Sequence, residues 1–227
     1  MKKSLLILTA ALVVLSGSCI KGNYSPTESV IGGRNYDNGG RTYMMNLADR
    51  LVSGILDEMD LAMDISARGS GTSAHFTVSA PFTQAGAVWT VKAQDSELLG
   101  LKLRCMGTNQ WKAEFQGELA LDKENRYPTT VTMDVVSFQN DDPFQKGWTV
   151  TLYGEREERG GYSCQFFTRK NSNIQFINTR GAGTSGWDKV FGNLEMTVLK
   201  DQKAVDYCVL SFEGSPSQAT FLRGGLN

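Results

Sequence analysis

From about residue 67 onwards, apolar and polar residues alternate with a period of two, which predicts β-strands buried on one face. Residues 111–119 show this most clearly, and residues 99–105 alternate in the same way. Gly107 lies between these two segments, so they are predicted to form a hairpin. The same pattern predicts strands at residues 74–79, 88–93, 130–136, 148–154, 162–167, 174–177, 194–199 and 205–212.

One helix is predicted before the strands, at residues 44–63. Its apolar positions recur at intervals of three and four residues, as on an amphipathic helix; they are Met44, Leu47, Ala48, Leu51, Ile55, Met59 and Ala62. The polar face carries acids and only Arg50 as a base, which is not the basic face of a membrane-surface helix. We expect the apolar stripe to pack on the sheet.

The expected fold class is mainly β: an antiparallel β-barrel or β-sandwich of about ten strands with one N-terminal amphipathic helix. Hairpin-length connections predominate, which favours the barrel. The charged run at residues 155–159 lies between two predicted strands and is interpreted as a solvated hairpin tip.

The N-terminus has the pattern of a secretory signal peptide over residues 1–18. Lys2 and Lys3 precede an apolar run at residues 5–15, which is too short to span a bilayer, and small residues follow. Cys19 comes directly after them. Ser16 and Ser18 also satisfy the small-x-small rule of ordinary signal-peptidase cleavage, which is the alternative interpretation.

This segment resembles the relaxed lipobox of Bacteroidetes-type bacterial lipoproteins, because small residues lead into the cysteine while Leu15 lies four positions before it. The resemblance covers the first nineteen residues only and implies that Cys19 is acylated and anchors the chain in a membrane. Ile20 is not the aspartate that retains many lipoproteins at the inner membrane. The expected location is therefore the outer membrane of the cell envelope, facing either the periplasm or the surface.

Residues 19–43 are rich in Gly, Asn, Ser and Thr and are predicted to be a flexible tether after the lipidated cysteine. Residues 44–227 then form a single domain of helix plus antiparallel strands. The formal net charge is −1, and no basic block occurs, so nucleic acid is not an expected partner. Hydrophobic residues make up 41% of the chain, which is typical of a folded domain.

If Cys19 carries lipid, three cysteines remain: Cys105, Cys164 and Cys208. Cys105 and Cys164 both fall on the apolar face of predicted strands, so a disulfide between them and burial as free thiols are both open, and burial is favoured. No CxxC motif or Cys/His cluster is present, and we predict neither a metal nor a cofactor.

Candidate catalytic chemistry is sparse. His75 is the only histidine, and no GxSxG or HExxH motif accompanies it, so no catalytic residue is predicted. Residues 181–186 match GxGxxG, but no βαβ pattern surrounds them, and a loop is the better interpretation. Trp187 and Asp188 follow this loop and Arg180 precedes it, so these three residues are the candidate ligand-binding set.

The preferred hypothesis is non-catalytic binding of a small apolar or glycan ligand in an interior lined by aromatic and apolar side chains; these are Trp89, Trp111, Phe115, Met133 and Trp148. The alternative is a protein-interaction or structural subunit of an envelope complex, which would present an exposed apolar patch or an open edge strand. A polysaccharide hydrolase is a third hypothesis and requires two carboxylates that face each other in a cleft.

The lipid anchor can be tested by substituting its cysteine. Cys19→Ser removes the thiol that would be acylated, so we expect the protein to lose all label in cells fed an alkyne analogue of palmitate and to leave the membrane fraction. Ser18→Ala, which keeps a small residue before the cysteine, is the control and should keep both. An unlabelled wild-type protein would show ordinary secretion instead.

Overall fold

Eleven antiparallel strands dominate the computed structural model, which describes residues 36–69, 73–121, 125–139, 146–178 and 187–225. The strands are β1 (Phe76–Val78), β2 (Val88–Val91), β3 (Lys102–Gly107), β4 (Gln110–Ala120), β5 (Arg126–Gln139), β6 (Lys146–Glu157), β7 (Tyr162–Phe167), β8 (Ile174–Asn178), β9 (Lys189–Lys200), β10 (Lys203–Gly214) and β11 (Thr220–Gly225). Ten of them coincide with predicted segments, and the predicted β3–β4 hairpin is confirmed. Only β11 was not predicted.

All eleven strands belong to one sheet, in the order β1-β2-β3-β4-β5-β6-β7-β9-β10-β11, and β8 pairs with both β6 and β9. β8 pairs with residues 146–150 of β6, and β7 pairs with residues 153–157 of the same strand. β7 and β8 therefore lie end to end in a single strand position between β6 and β9, and we call such a position a lane. Eleven strands therefore occupy ten lanes, with a partial ring at β6, β7, β9 and β8. The predicted antiparallel architecture is confirmed as a single sheet rather than the two sheets of a sandwich.

The N-terminal helix consists of α1 (Tyr36–Asn46), a π-helical segment (Leu47–Ser53) and α2 (Gly54–Ala67) in direct succession. It begins before the predicted start at Met44, so the tether prediction is wrong for residues 36–43. The remaining tether, Cys19 and the signal segment lie outside the described residues. Within the described part of the chain, no helix combines the length and apolar composition that crossing a bilayer requires.

Tertiary contacts explain the early start of the helix. The Arg41 guanidinium donates hydrogen bonds to the carbonyl oxygens of Ser217 (3.2 Å) and Ala219 (3.3 Å). Gly40 lies so close to the Phe221 ring that a Cβ there would come within 3.0 Å of it. These contacts with the β11 end of the sheet stabilise a glycine-containing segment that has low intrinsic helix propensity.

The other end of the helix contacts the region around β1, at the opposite edge of the sheet from β11. The Ser66 hydroxyl accepts a hydrogen bond of 2.9 Å from the backbone N–H of Phe82, just after β1. Between the two ends, Asn46 and Arg50 donate to the carbonyls of Leu121 and Ala120 at the end of β4, at 2.8 and 2.9 Å. The helix therefore bridges β11 and the β1 region, and the sheet folds round it.

The interior of the sheet is filled by side chains. Trp89, Trp111 and Trp148 are all buried, as their phase in the alternation predicts. The Trp111 ring stacks on Phe82 at 5.8 Å between centroids and meets the edge of Trp148 at 5.6 Å. Fully buried helix side chains join the same cluster; they are Met44, Leu47, Leu51, Val52, Ile55, Leu56, Met59 and Ala62. The predicted ligand-holding interior is thus a packed core at these positions.

The three described cysteines, Cys105, Cys164 and Cys208, are free thiols buried in this core. Burial, followed by the nearby Glu158 carboxylate, raises the pKa of the Cys164 thiol to about 12. A thiol with that pKa carries almost no thiolate near neutral pH and is chemically inert. The favoured interpretation of Cys105 and Cys164 as buried thiols is confirmed, and no bridge joins them.

The charged run at residues 155–159 is only partly a solvated hairpin tip, and this prediction is wrong for Arg156 and Glu158. β6 continues to Glu157, so strand alternation turns Arg156 inward, where only 2% of its area is exposed. Its Nε donates to the Glu158 carboxylate at 2.8 Å. The same carboxylate accepts a 2.6 Å hydrogen bond from the hydroxyl of Tyr43 on α1, so the cluster ties the helix to the sheet.

The Arg156 side chain has further partners that satisfy it inside the protein. One terminal nitrogen donates to the carbonyl of Leu119 at 2.6 Å and to the hydroxyl of Thr129 at 3.0 Å. The guanidinium carbon also lies 5.1 Å from the centroid of the Tyr127 ring. A buried cation with this set of acceptors is stable only while every partner is in place.

Replacing this arginine tests the cluster. Arg156→Met leaves the Glu158 carboxylate buried without its cation, so we expect the free energy of unfolding to fall by about 3–5 kcal/mol. Arg159→Met, in the same charged run but exposed, should change it by less than about 0.5 kcal/mol. Urea denaturation followed by tryptophan fluorescence measures both. Equal effects of the two substitutions would show that the cluster does not hold the fold.

Candidate functional site

An open groove of about 640 Å³ lies on the outer face of the sheet, where β3, β4, β5 and β6 run side by side. This face is opposite to the packed core. Its lining combines hydrogen-bonding side chains with one aromatic ring that projects outward; the lining residues are Gly100, Lys102, Glu114, Phe115, Gln116, Thr130, Val131, Thr132, Tyr153 and Glu155. Two further cavities, of about 330 Å³ and 210 Å³, are smaller than this groove.

Strand register places the groove side chains in two rows across the sheet. In the first, which we call the glutamine row, Gln116 lies opposite Thr130 and Thr130 lies opposite Glu155. In the second, the tyrosine row, Glu114 lies opposite Thr132 and Thr132 lies opposite Tyr153. Directly opposed residues share one face of an antiparallel sheet, so both rows project into the groove.

Tyr153 and Glu155 are held in place by hydrogen bonds. The Tyr153 hydroxyl donates to the Glu155 carboxylate, and the side-chain amide of Gln165 donates to the same oxygen at 2.8 Å. Partial burial and the hydrogen bond to Glu155 raise the pKa of Tyr153 to about 12, so its hydroxyl stays protonated at neutral pH. Half of the tyrosine's area remains exposed (50%), which leaves the aromatic face accessible to a ligand.

The charges of the groove are few and mixed. Lys102 supplies one cation and Glu114 and Glu155 supply two carboxylates, while the threonines, the glutamine and the tyrosine are neutral. Carboxylate and amide groups can bind hydroxyl groups, and an exposed aromatic face can stack on the apolar face of a sugar ring. The side chains of the groove are therefore better suited to a hydroxyl-rich, uncharged ligand than to a phosphate or another anion.

The two groove carboxylates are not directly opposed in the sheet, unlike the simplest facing pair for the hydrolase hypothesis. Glu114 is on β4 and Glu155 on β6, so β5 separates them by about 10 Å between backbones, and they lie in different rows. Glu155 is also engaged by Tyr153 and Gln165. Glycoside hydrolysis needs two carboxyl groups about 5–9.5 Å apart on either side of one bond.

The two described residues of the predicted ligand-binding set lie away from the groove. Trp187 is partly buried, and its ring meets the edge of Phe176 with centroids 6.0 Å apart. The backbone N–H of Asp188 donates to the carbonyl of Ile177 at 3.2 Å. Arg180 and the GxGxxG loop at residues 181–186 lie outside the described residues. Neither Trp187 nor Asp188 lines the groove, and binding by these three residues stays a prediction.

His75 lies just before β1 and binds Glu58 of α2. Its Nε2 is 2.6 Å from one carboxylate oxygen of Glu58, and the Ser96 hydroxyl donates to the other oxygen at 2.9 Å. A catalytic triad needs the serine bonded to the histidine, whereas here both bind the carboxylate. Glu58 thus links the helix, the β1 region and the β2–β3 connection.

The cavity of about 330 Å³ lies beside α2, next to Asp57 and Glu58. Partial desolvation is the main cause that raises the pKa of the Asp57 carboxyl to about 6, and the nearby carboxylates of Asp60, Asp49 and Glu58 add to it. Within the described residues, no group of three or more His, Cys, Asp or Glu side chains is arranged to hold a metal ion.

Comparison with known proteins gives no family for this chain. No protein-family model, curated protein or solved structure matches it. Function is therefore inferred from the geometry of the groove and from the chemistry of its side chains.

The alternation places the polar groove residues on polar strand faces but does not mark them as a site, and it predicts Phe115 to line the interior instead. Every predicted strand has a polar face, and the groove is defined by which strands are neighbours and in which register. Tyr153 carried the only local signal, because it is an aromatic residue in an outward phase of the alternation.

The raised pKa of Asp57 on α2 can be tested through the pH dependence of stability. Above pH 6, the folded protein carries an Asp57 carboxylate that its surroundings disfavour. Between about pH 6 and pH 3.8, the folded state binds a proton at Asp57 and the unfolded state does not, because the pKa of an ordinary aspartate is 3.8. Asp57→Asn should therefore raise the free energy of unfolding at pH 7.5 by about 0.5–1 kcal/mol, after allowance for solvent screening at this exposed residue.

This stabilisation by Asp57→Asn should shrink towards zero as the pH falls from 6 to 4, since wild type then gains stability by protonation. Urea denaturation at several pH values measures it. Asp64→Asn, at an exposed position on the same helix, is the matched control. A pH-independent difference between Asp57→Asn and wild type would contradict the shifted pKa.

Proposed function

We propose that the protein is a lipid-anchored, outer-membrane protein of the cell envelope that binds a glycan, without catalysis, in the outer groove. The observation that carries this proposal is the combination, in one open groove, of the exposed Tyr153 ring with hydrogen-bonding side chains on both rows. The anchor is the lipid expected on Cys19. The partners are then a membrane, through that lipid, and a glycan.

The packed interior favours a glycan over a small apolar ligand. An apolar ligand needs an enclosed apolar cavity, and the interior tryptophans instead pack against one another and against Phe82. The groove is open, and its side chains are mostly polar. A hydroxyl-rich ligand matches that surface, because each sugar hydroxyl can both donate and accept a hydrogen bond.

A protein-interaction or structural role is the second candidate. It is supported by β11, which ends the sheet within the described residues and carries Leu222 with 58% of its area exposed. Edge strands can pair with a strand of another chain. One exposed leucine on a six-residue strand is a smaller feature than the groove, so glycan binding is the preferred function.

Calorimetric titration of the full-length protein tests glycan binding. The probes are neutral hexasaccharides of β-1,4-glucose, β-1,3-glucose, α-1,4-glucose and β-1,4-mannose. We expect at least one to bind, and Tyr153→Ala to weaken it about tenfold, because an aromatic contact contributes about 0.5–1.5 kcal/mol beyond its buried area. Met106→Ala removes a side chain that is equally exposed but outside the groove, and should leave affinity within about twofold.

Three outcomes would contradict the proposal. They are no binding of any of the four sugars, binding that Tyr153→Ala leaves unchanged, and release of reducing ends during incubation. The last would instead favour the hydrolase hypothesis.

A further inference from the structure

We infer that the glycan site continues from the groove across β7, β9 and β10 to a second cluster at Tyr207, so that its ligand is an extended, neutral oligosaccharide lying across the strands. This inference rests on the proposed function. It adds a second subsite, which we call the Tyr207 cluster and which consists of Arg169, Glu195 and Tyr207.

Strand register extends the glutamine row from the groove to Tyr207 without a break. Glu155 lies opposite Gln165, Gln165 opposite Thr197, and Thr197 opposite Tyr207. Each of these side chains can donate or accept hydrogen bonds. All of them share the outer face with the groove, because opposed residues in antiparallel strands project to the same side.

The length of this row sets the size of the ligand. Neighbouring strands lie about 4.8 Å apart, so three steps from Glu155 to Tyr207 cover about 14 Å, and five steps from Gln116 cover about 24 Å. A single sugar ring spans about one lane. A ligand that contacts both Tyr153 and Tyr207 must therefore contain several sugar units.

The Tyr207 cluster is held in a fixed arrangement on the outer face. The Arg169 Nε lies 2.9 Å from one oxygen of the Glu195 carboxylate, and another guanidinium nitrogen donates to the Tyr207 hydroxyl at 3.1 Å. The Tyr207 hydroxyl donates to the other Glu195 oxygen. The carboxylate is buried (4% exposed), whereas the arginine side chain is 67% exposed and keeps donors available to a ligand.

The position of Arg169 follows from the interrupted lane. It lies in the connection between β7 and β8, which share one lane, so the connection emerges from the middle of the sheet. Gly192 of β9 permits the close approach of that connection: it has a φ of +109°, and a Cβ there would come within 2.3 Å of the carbonyl oxygen of Asn173. The interruption thus places a guanidinium on an otherwise regular outer face.

The charges along this surface favour a neutral ligand. Glu114, Glu155 and Glu195 contribute three carboxylates, and Lys102 and Arg169 contribute two cations. Arg169 is already paired with Glu195. An anionic polysaccharide would meet net negative charge along the row, whereas a neutral one meets alternating donors and acceptors.

The test compares chain lengths and a conservative variant of the full-length protein. The ligands are the hexasaccharide that binds in the calorimetric panel and the trisaccharide of the same linkage. We expect the hexasaccharide to bind at least tenfold more tightly than the trisaccharide. Thr197→Val, which removes one hydroxyl from the row and keeps the shape of the side chain, should weaken the hexasaccharide about three- to tenfold and leave the trisaccharide unchanged.

Thr220→Val is the matched control, on the outer face of β11 but outside the row, and should change neither affinity. Equal affinity of the two sugars, or a hexasaccharide unaffected by Thr197→Val, would overturn the extended site while leaving the groove proposal intact. Failure of all four hexasaccharides to bind would overturn both.

Discussion

The packing of the N-terminal helix against the inner face of the sheet is the interaction on which the rest of the structure depends. Residues from α1, the π-helical segment and α2 share one core with strands from β1 to β10. Burial of each large apolar side chain contributes about 1.5–3 kcal/mol, so this one helix provides much of the apolar area that covers the sheet. It occupies the interior, and the open groove that we propose as the ligand site lies on the outer face.

Buried polar groups tie the helix to the sheet and pair neighbouring strands. The Arg156–Glu158 pair is bonded to Tyr43 of the helix, and Asp206 pairs with Arg223 at 2.8 Å across β10 and β11. Arg156 and Asp206 lie in one inward row, since Arg156 is opposite Cys164, Cys164 opposite Val198 and Val198 opposite Asp206. Such pairs add little net stability over apolar residues, but they penalise any other register strongly. We interpret them as determinants of register, at one end of a sheet whose core is otherwise apolar.

The strands could be predicted because alternation is a local pattern and one face of this sheet is buried. The errors have physical causes. The helix starts at Tyr36 because Arg41 and Gly40 contact residues 217–221, which composition cannot reveal. Arg156 was misassigned because a run of charges hides strand phase, and β11 was missed because its apolar residues, Phe221 and Leu222, are adjacent and do not alternate. The candidate site depends on which strands are neighbours, so Tyr153, Glu155 and Tyr207 could not be grouped from sequence.

The interior is a closed core, and we propose that ligands bind outside it. Fluorine NMR of protein carrying 5-fluorotryptophan and 3-fluorotyrosine, titrated with a neutral hexasaccharide, tests this directly. A closed core predicts that the resonance of Tyr153 shifts and that those of Trp89, Trp111 and Trp148 stay unchanged. Shifts of the interior tryptophans with an unchanged Tyr153 would show that the ligand enters the core and would contradict this claim.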